Sequence, residues 1–447
     1  MMAGGLDLLQ NATASGAFHN SGERYDPPRC HPNTRVAVMK TIVDWMLGLD
    51  KVRRGEFIMW LTGAAGAGKS AILQSFADQQ DSEGYLLASF FFGKSDSDRN
   101  HIRKLVATIA YQIRAKIPDV REHMVMAIED DPLIFTRSLL TQFRTLIIQP
   151  LRDALLLESQ FFDQPHAPRL IVIDGLDECI DRREQKDILM TISKIIQESQ
   201  LPIILLISSR PEHDITGVFS SSHLRNISTC IDLDEQFSPM NDIKLYLCHE
   251  FNDIKTNHPF RRFLPHGWPF DDDVKKLVRK SSGQFIYAAT VVNYVGSTRH
   301  RPHHRLEVVL SIRPLTQPSQ NPFAELDALY THIFSKVDDG DVSVVLRVLS
   351  FIFGTSLHDS ESVVEEIELI LTLECGQIPV AFCDLGSLIS IRLNDSELPR
   401  AGSHKIRVLH ASLQDFLQDP ERSRMFCIRP EYAYENLISC VRFLSSK

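Results

Sequence analysis

An α/β fold, with a parallel sheet covered by helices on both faces, is predicted by three observations. Apolar runs of strand length alternate with helical patterns through the first half of the chain. One such run, residues 57–62, breaks into Gly63-Ala64-Ala65-Gly66-Ala67-Gly68-Lys69-Ser70 and then into a helical pattern opening at Ala71. Polar signatures recur just beyond other runs of the same kind, where the carboxyl ends of parallel strands gather ligands.

At 447 residues the chain exceeds one ordinary core, and about 150 residues per domain implies roughly three. A hydrophobic share of 43% and a charged share of 23% exclude general disorder. The net charge of -9 offers no broad attraction for nucleic acid or anionic lipid, although a sum can hide a local basic patch. No apolar run approaches the roughly 18 residues of a membrane span, and the N-terminus lacks a secretory pattern. The expectation is a cytoplasmic chain with neither membrane nor nucleic acid as a partner. The eight cysteines have no zinc spacing, and adjacent Cys30-His31 supplies only two ligands.

Residues 1–33, rich in Gly, Ala, Asn and Ser, read as a tail or linker. From Thr34 onward, Val36, Met39, Ile42, Val43, Met46 and Leu47 share one helical face, with Asn33 as its cap. Strands are expected at 57–62, 85–92, 169–174, 203–208 and 229–233. Helices are expected after the glycine-rich loop and over 101–116, 134–158 and 182–199. The first sheet domain therefore spans 34–237. Beyond it the strand signal fades into short helices over 238–300. A basic, proline-broken stretch around Arg299–Arg305 opens a linker at 301–322 that reads as solvated rather than as a nucleic-acid contact. Residues 323–425 are again mostly helical, with a strand at 405–409, and 426–447 form a tail.

The pattern G-x-x-x-x-G-K-S is a phosphate-binding P-loop: Gly63, Ala64, Ala65, Gly66, Ala67, Gly68, Lys69, Ser70 and Ala71 wrap backbone N–H groups around a polyphosphate at a helix N-terminus. Lys69 reaches the outer phosphates and Ser70 is placed to ligate Mg²⁺. A nucleotide site also needs a carboxylate for that metal, and Asp174 at the end of the 169–174 run supplies it. Asp177 and Glu178 follow one turn later. Either can polarise an attacking water, and either can merely cap the next helix. Arg210, held by Pro211 at the end of the next strand, can contact a γ-phosphate or make a structural ion pair.

These elements together, GAAGAGKS, LIVIDGLDEC and LLISSRPE, resemble the NACHT subclass of STAND P-loop NTPases, in particular fungal members and their nephrocystin-3-like relatives. The segment Ser21–Arg35 resembles the stretch that leads into the NTPase core of the fungal members. The resemblance covers about residues 20–425. It implies a P-loop NTPase core at 34–237, a small helical domain at 238–300 and a winged-helix domain at 323–425. By the same resemblance, Thr34 and Arg35 contact base or phosphate, and His410 approaches the β-phosphate of bound ADP. Phe285 stands where many such proteins place a proline near adenine.

The implied function is a regulatory switch using ATP/ADP and Mg²⁺, with slow ATP hydrolysis, a homo-oligomer on activation and an unidentified protein effector. A P-loop kinase and an AAA+-like motor use the same loop and are the competing readings. A kinase calls for an acceptor pocket and an arginine-bearing lid; a motor calls for brisk turnover and an arginine acting across subunits. Neither an effector domain nor a sensor array is evident, which leaves open a fragment, a truncated chain or a minimal member.

Overall fold

The computed structural model describes all residues except 1–3, 25–26, 51, 54, 95, 157–168, 200, 315–320, 322, 355–362, 394–403 and 446–447. Tyr25, Asp26, the end of the expected 134–158 helix and part of the expected 301–322 linker lie outside the described residues. Two compact units emerge, Met1–Ala64 with Gly68–Phe237, and Ala65–Ala67 with Ser238–Lys447. Among the described residues no helix is long and apolar enough to cross a membrane.

The first unit is built on strands β1 (Ile58–Thr62), β2 (Leu86–Phe91), β3 (Leu170–Asp174), β4 (Ile204–Ser209) and β5 (Ser228–Asp232). They pair in the order β2-β3-β4-β1-β5, every pair parallel. Every residue of β1, β2 and β3 is buried. Burial at consecutive positions means that both faces of the sheet are covered, as the uninterrupted apolar runs require. This is the P-loop NTPase fold expected from the sequence, followed by a mainly helical second unit.

Register decides which loops meet. Thr62 pairs with Ser209 on one side and Asp232 on the other, so the P-loop leaves between the ends of β4 and β5. Ile173 pairs with Ile207, which sets Asp174 beside Ser208. Helix α3, Lys69–Ser82, follows the loop and packs on β2, β3 and β4.

The N-terminal residues differ from the expected tail. Helix α1 (Gly5–Asn11) buries Leu9, and Ala14 and Ala17 join the same apolar core. Small residues here serve close packing: a Cβ at Gly5 would lie 2.9 Å from the Val125 carbonyl oxygen. The chain then runs as a strap over α3, where Gln74 Nε2 donates to the His19 carbonyl at 2.9 Å and Cys30 N donates to Ser75 Oγ at 2.9 Å. Helix α2 (Val36–Met46) starts after Arg35, which is left-handed at φ 57°, so Asn33 is not its cap.

In the second unit, α4 (Met240–Asn257), α5 (Asp271–Lys280) and α6 (Phe285–Val295) are followed by α7, Pro302–Ser311. Part of the stretch read as a linker is therefore a helix. Its Pro302 occupies the first turn, where a missing N–H costs nothing, and Leu306 and Val309 are buried. Then come α8 (Ala324–Phe334), α9 (Asp339–Gly354), α10 (Val364–Leu371), an antiparallel hairpin of β6 (Ile389–Leu393) and β7 (His404–Val408), α11 (Ser412–Gln418) and α12 (Pro430–Ser445). A single apolar core runs through these helices, from Phe251 packed edge-on against Trp268 at 5.5 Å to Tyr330 against Phe416 at 5.3 Å.

Candidate functional site

The carboxyl ends of β1, β3, β4 and β5 assemble a constellation of charged groups. Gly66 at φ 80° and Gly68 at φ 91° take left-handed backbone that a side chain would strain, which bends the loop back over the start of α3. Lys69 folds its ammonium onto that loop, donating to the Gly63 carbonyl at 2.7 Å and the Ala64 carbonyl at 3.0 Å. Burial holds its pKa below the usual lysine value, opposed by the charges of Asp177, Asp174 and Asp234. A cation already stripped of most of its water and leaning on two neutral carbonyls is prepared to exchange them for an anion.

Asp174 is buried at the end of β3. Its Oδ1 accepts from Ser208 Oγ at 2.5 Å, and the Ser70 hydroxyl also bonds to it. Burial pushes its carboxyl pKa up, while those two hydrogen bonds and the charge of Arg24 pull it down. Ser208 Oγ also accepts from Gly175 N at 3.0 Å, fixing the turn that carries the next two acids. Ser208→Ala leaves the buried carboxylate and the Gly175 amide short of partners. The expected cost is about 1–3 kcal/mol, read as a lower urea midpoint by tryptophan fluorescence.

Asp177 and Glu178 lie in one short 3-10 turn, Leu176–Glu178, yet their surroundings differ. Asp177 holds Arg210 twice, its Oδ1 accepting from the Arg210 amide at 3.0 Å and its Oδ2 lying 3.1 Å from Nε. Glu178 carries no such cation among the described residues: its Oε2 accepts a backbone N–H, from Lys94 at 3.2 Å. Burial first, then Asp177 and Asp174, push its pKa up to about 7. Two neighbouring carboxylates thus divide into an ion-pair anchor and an acid poised to exchange a proton near neutrality.

Three further residues enter the site without being singled out from the sequence. Asp234 Oδ2 accepts from Ala64 N at 2.6 Å, two residues beyond the Thr62–Asp232 pairing. Arg24 donates to Gln74 Oε1 at 2.8 Å and stacks 4.0 Å over the Phe91 ring, where its charge is felt at Asp174. Ser208 is the third. Only the parallel register reveals Ser208 and Asp234, and the N-terminal strap brings in Arg24.

The remaining expected residues are held by local hydrogen bonds or burial. Thr34 is buried and its hydroxyl donates locally to the His31 carbonyl at 2.6 Å; Arg35 is buried beside it. His410 belongs to the second unit, just after β7. Its Nδ1 accepts from Ser412 N at 3.0 Å and lies 2.7 Å from Ser412 Oγ, which in turn is 2.9 Å from the buried Tyr330 hydroxyl. An Nδ1 that accepts a backbone N–H places the proton of the neutral ring on Nε2.

Ser70 and Asp174 are hard oxygen donors held together, and a buried carboxylate driven toward its neutral form by desolvation gains from a divalent cation, so the pair fits Mg²⁺.

The family described as nephrocystin 3, N-terminal, matches residues 40–210. No curated protein matches the chain. Among solved structures, the ORC2 protein of Aeropyrum pernix, in ADPNP-ADP complexes, aligns at a TM-score of 0.37 and 11% identity over 95% of this chain and 97% of that one. ORC1 of Aeropyrum pernix, in complex with DNA, aligns at 0.34 and 17% identity over 90% and 97%. Drosophila ORC bound to AT-rich DNA and Cdc6 aligns at 0.28 and 13% identity over 65% and 44%. The chain is thus similar to nephrocystin-3 N-terminal domains over the stretch that holds the P-loop, Asp174 and Arg210.

Proposed function

We propose that this protein is an ATP/ADP-operated regulatory switch of NACHT/STAND type that hydrolyses ATP slowly with Mg²⁺. The observation that carries the reading is the convergence on one sheet edge of Lys69, Ser70, Asp174, Glu178 and the Asp177–Arg210 pair. The nephrocystin-3-like match over residues 40–210 supports it, as do the motifs Gly63–Ser70 and Asp174–Glu178.

In this reading the loop amides from Ala64 to Ala71 and the Lys69 ammonium bind the phosphates. Ser70 and Asp174 hold Mg²⁺, which when bound neutralises charge on the β- and γ-phosphate oxygens. Glu178 accepts a proton from the attacking water as its oxygen bonds the γ-phosphorus and the bond to the ADP oxygen breaks. Asp177 keeps Arg210 aimed, so that its guanidinium reports the presence of the γ-phosphate. His410, with its proton on Nε2, is a hydrogen-bond donor suited to a phosphate oxygen. Thr34 and Arg35 remain candidates for base or phosphate contact, and the region at 323–425 for a winged-helix domain. A ligand shifts a two-state balance only through unequal affinity for the two states, and His410 and Arg210 supply that inequality. Opening then exposes surfaces for self-association and for a protein effector.

The test is the nucleotide that co-purifies. ADP is expected in the wild-type protein, absent from Lys69→Ala and released about tenfold or more faster from His410→Ala, since a hydrogen bond to a charged group is worth about 1.5–3 kcal/mol. Equal retention in wild type and both variants rejects the assignment. Rapid multiple turnover favours a motor, and transfer of phosphate to an added acceptor favours a kinase.

A further inference from the structure

The last described helix, α12, is mounted with its apolar side outward. Tyr434 is 68% exposed, Leu437 62%, Ile438 51%, Val441 56% and Leu444 71%. Their spacing of i, i+3, i+4, i+7 and i+10 forms one stripe. The face turned to the protein packs Tyr432 and Cys440 on the apolar core and adds polar ties: Arg347 of α9 donates from Nε to Asn436 Oδ1 at 3.2 Å and from Nη2 to Ser439 Oγ at 2.8 Å, while Asn436 Nδ2 donates to the Arg347 carbonyl at 3.1 Å. Asn436 and Ser439 are both buried. A helix already anchored on one side that still carries an exposed apolar stripe on the other presents that stripe to something else.

Heptad spacing identifies the occupant. With Tyr434 at a, Leu437 falls at d, Ile438 at e, Val441 at the next a and Leu444 at the next d. A β-branched residue at a with leucine at d suits a two-stranded parallel pairing. The flanking positions 433, 440 and 445 are Ala, Cys and Ser, so no like charges confront each other when the stripe meets its own copy, despite a chain charge of -9. At about 25 cal/mol per Å², the transfer energies of Val, Leu and Ile correspond to roughly 60–120 Å² per side chain. Five such side chains on each copy approach the roughly 1,000 Å² expected of a specific interface. Each α12 is already held against α9 and α10, so pairing does not have to order it.

We propose that α12 is a self-association seam that pairs in parallel with α12 of a second copy of this chain, independently of any nucleotide at the P-loop. Sedimentation of the full chain across about 1–100 μM tests it. A rise toward twice the monomer mass is expected with and without ATP. In Leu437→Lys/Val441→Lys that rise disappears, while circular dichroism and nucleotide binding stay as in wild type. Val441→Cys forms a disulfide-linked dimer on mild oxidation that wild type lacks, because parallel pairing sets position 441 against itself. A wild-type monomer at every concentration overturns the proposal, as does undiminished association of the double variant. Association of Val441→Cys without that cross-link overturns the parallel arrangement. Loss of nucleotide binding in Lys69→Ala with self-association intact separates this seam from the switch.

Discussion

Lys69→Ala weakens ATP binding by about 10²- to 10³-fold in calorimetric titrations with Mg²⁺. The ammonium is buried and spends its hydrogen bonds on the carbonyls of Gly63 and Ala64, partners far weaker than phosphate. Removing one member of a desolvated, hydrogen-bonded charge pair costs about 2–5 kcal/mol, and each 1.4 kcal/mol is tenfold in affinity. The methyl group of alanine restores none of this. Arginine at the same position keeps the charge but carries a bulky planar head into a space shaped for a compact ammonium, so Lys69→Arg is expected to rescue little.

Glu178→Gln stops hydrolysis while leaving ATP bound. A positioned general base contributes typically 10²- to 10⁴-fold, so single-turnover cleavage falls by about that factor with nucleotide affinity nearly unchanged. The wild-type rate carries a pH signature that the variant lacks. Burial, then Asp177 and Asp174, raise the Glu178 pKa to about 7, and only its deprotonated form accepts a proton. Cleavage therefore increases as pH rises through 7 and levels off about one unit higher. Asp177→Asn behaves differently: it releases Arg210 from its ion pair and, by removing one of the charges that raise the Glu178 pKa, moves the rising limb to lower pH without abolishing it.

These contrasts show how far the sequence can be read. Strands β1, β2 and β3 are legible because they are buried on both sides, which leaves continuous apolar runs such as Leu170–Ile173. The P-loop is legible because its chemistry is local, a matter of glycines, one lysine and one hydroxyl in a row. Asp174 is legible because it closes a strand. The division of labour between Asp177 and Glu178 is not, since it depends on Arg210 lying across the sheet, a distance of 33 residues along the chain. Ser208 and Asp234 escape for the same reason: their partners are set by strand register rather than by neighbours in sequence.

The misread segments share another cause. Glycine and alanine in residues 1–33 suggest a tail or linker, whereas among the described residues they permit a close-packed strap whose Leu9 is fully buried. Around Pro302 a basic composition suggests a connector, although the proline begins a helix with two buried apolar residues. Strand β6 carries a signal that points to it: Ile389, Ile391 and Leu393 alternate with Ser390 and Arg392, the period of a half-buried hairpin strand.

Titration of the purified full chain, cleared of co-purified nucleotide, with ATP and with ADP in the presence of Mg²⁺ tests the central claim most directly. Saturable binding of both at one site per chain is expected, lost in Lys69→Ala. Wild-type protein that takes up neither nucleotide while remaining folded contradicts it.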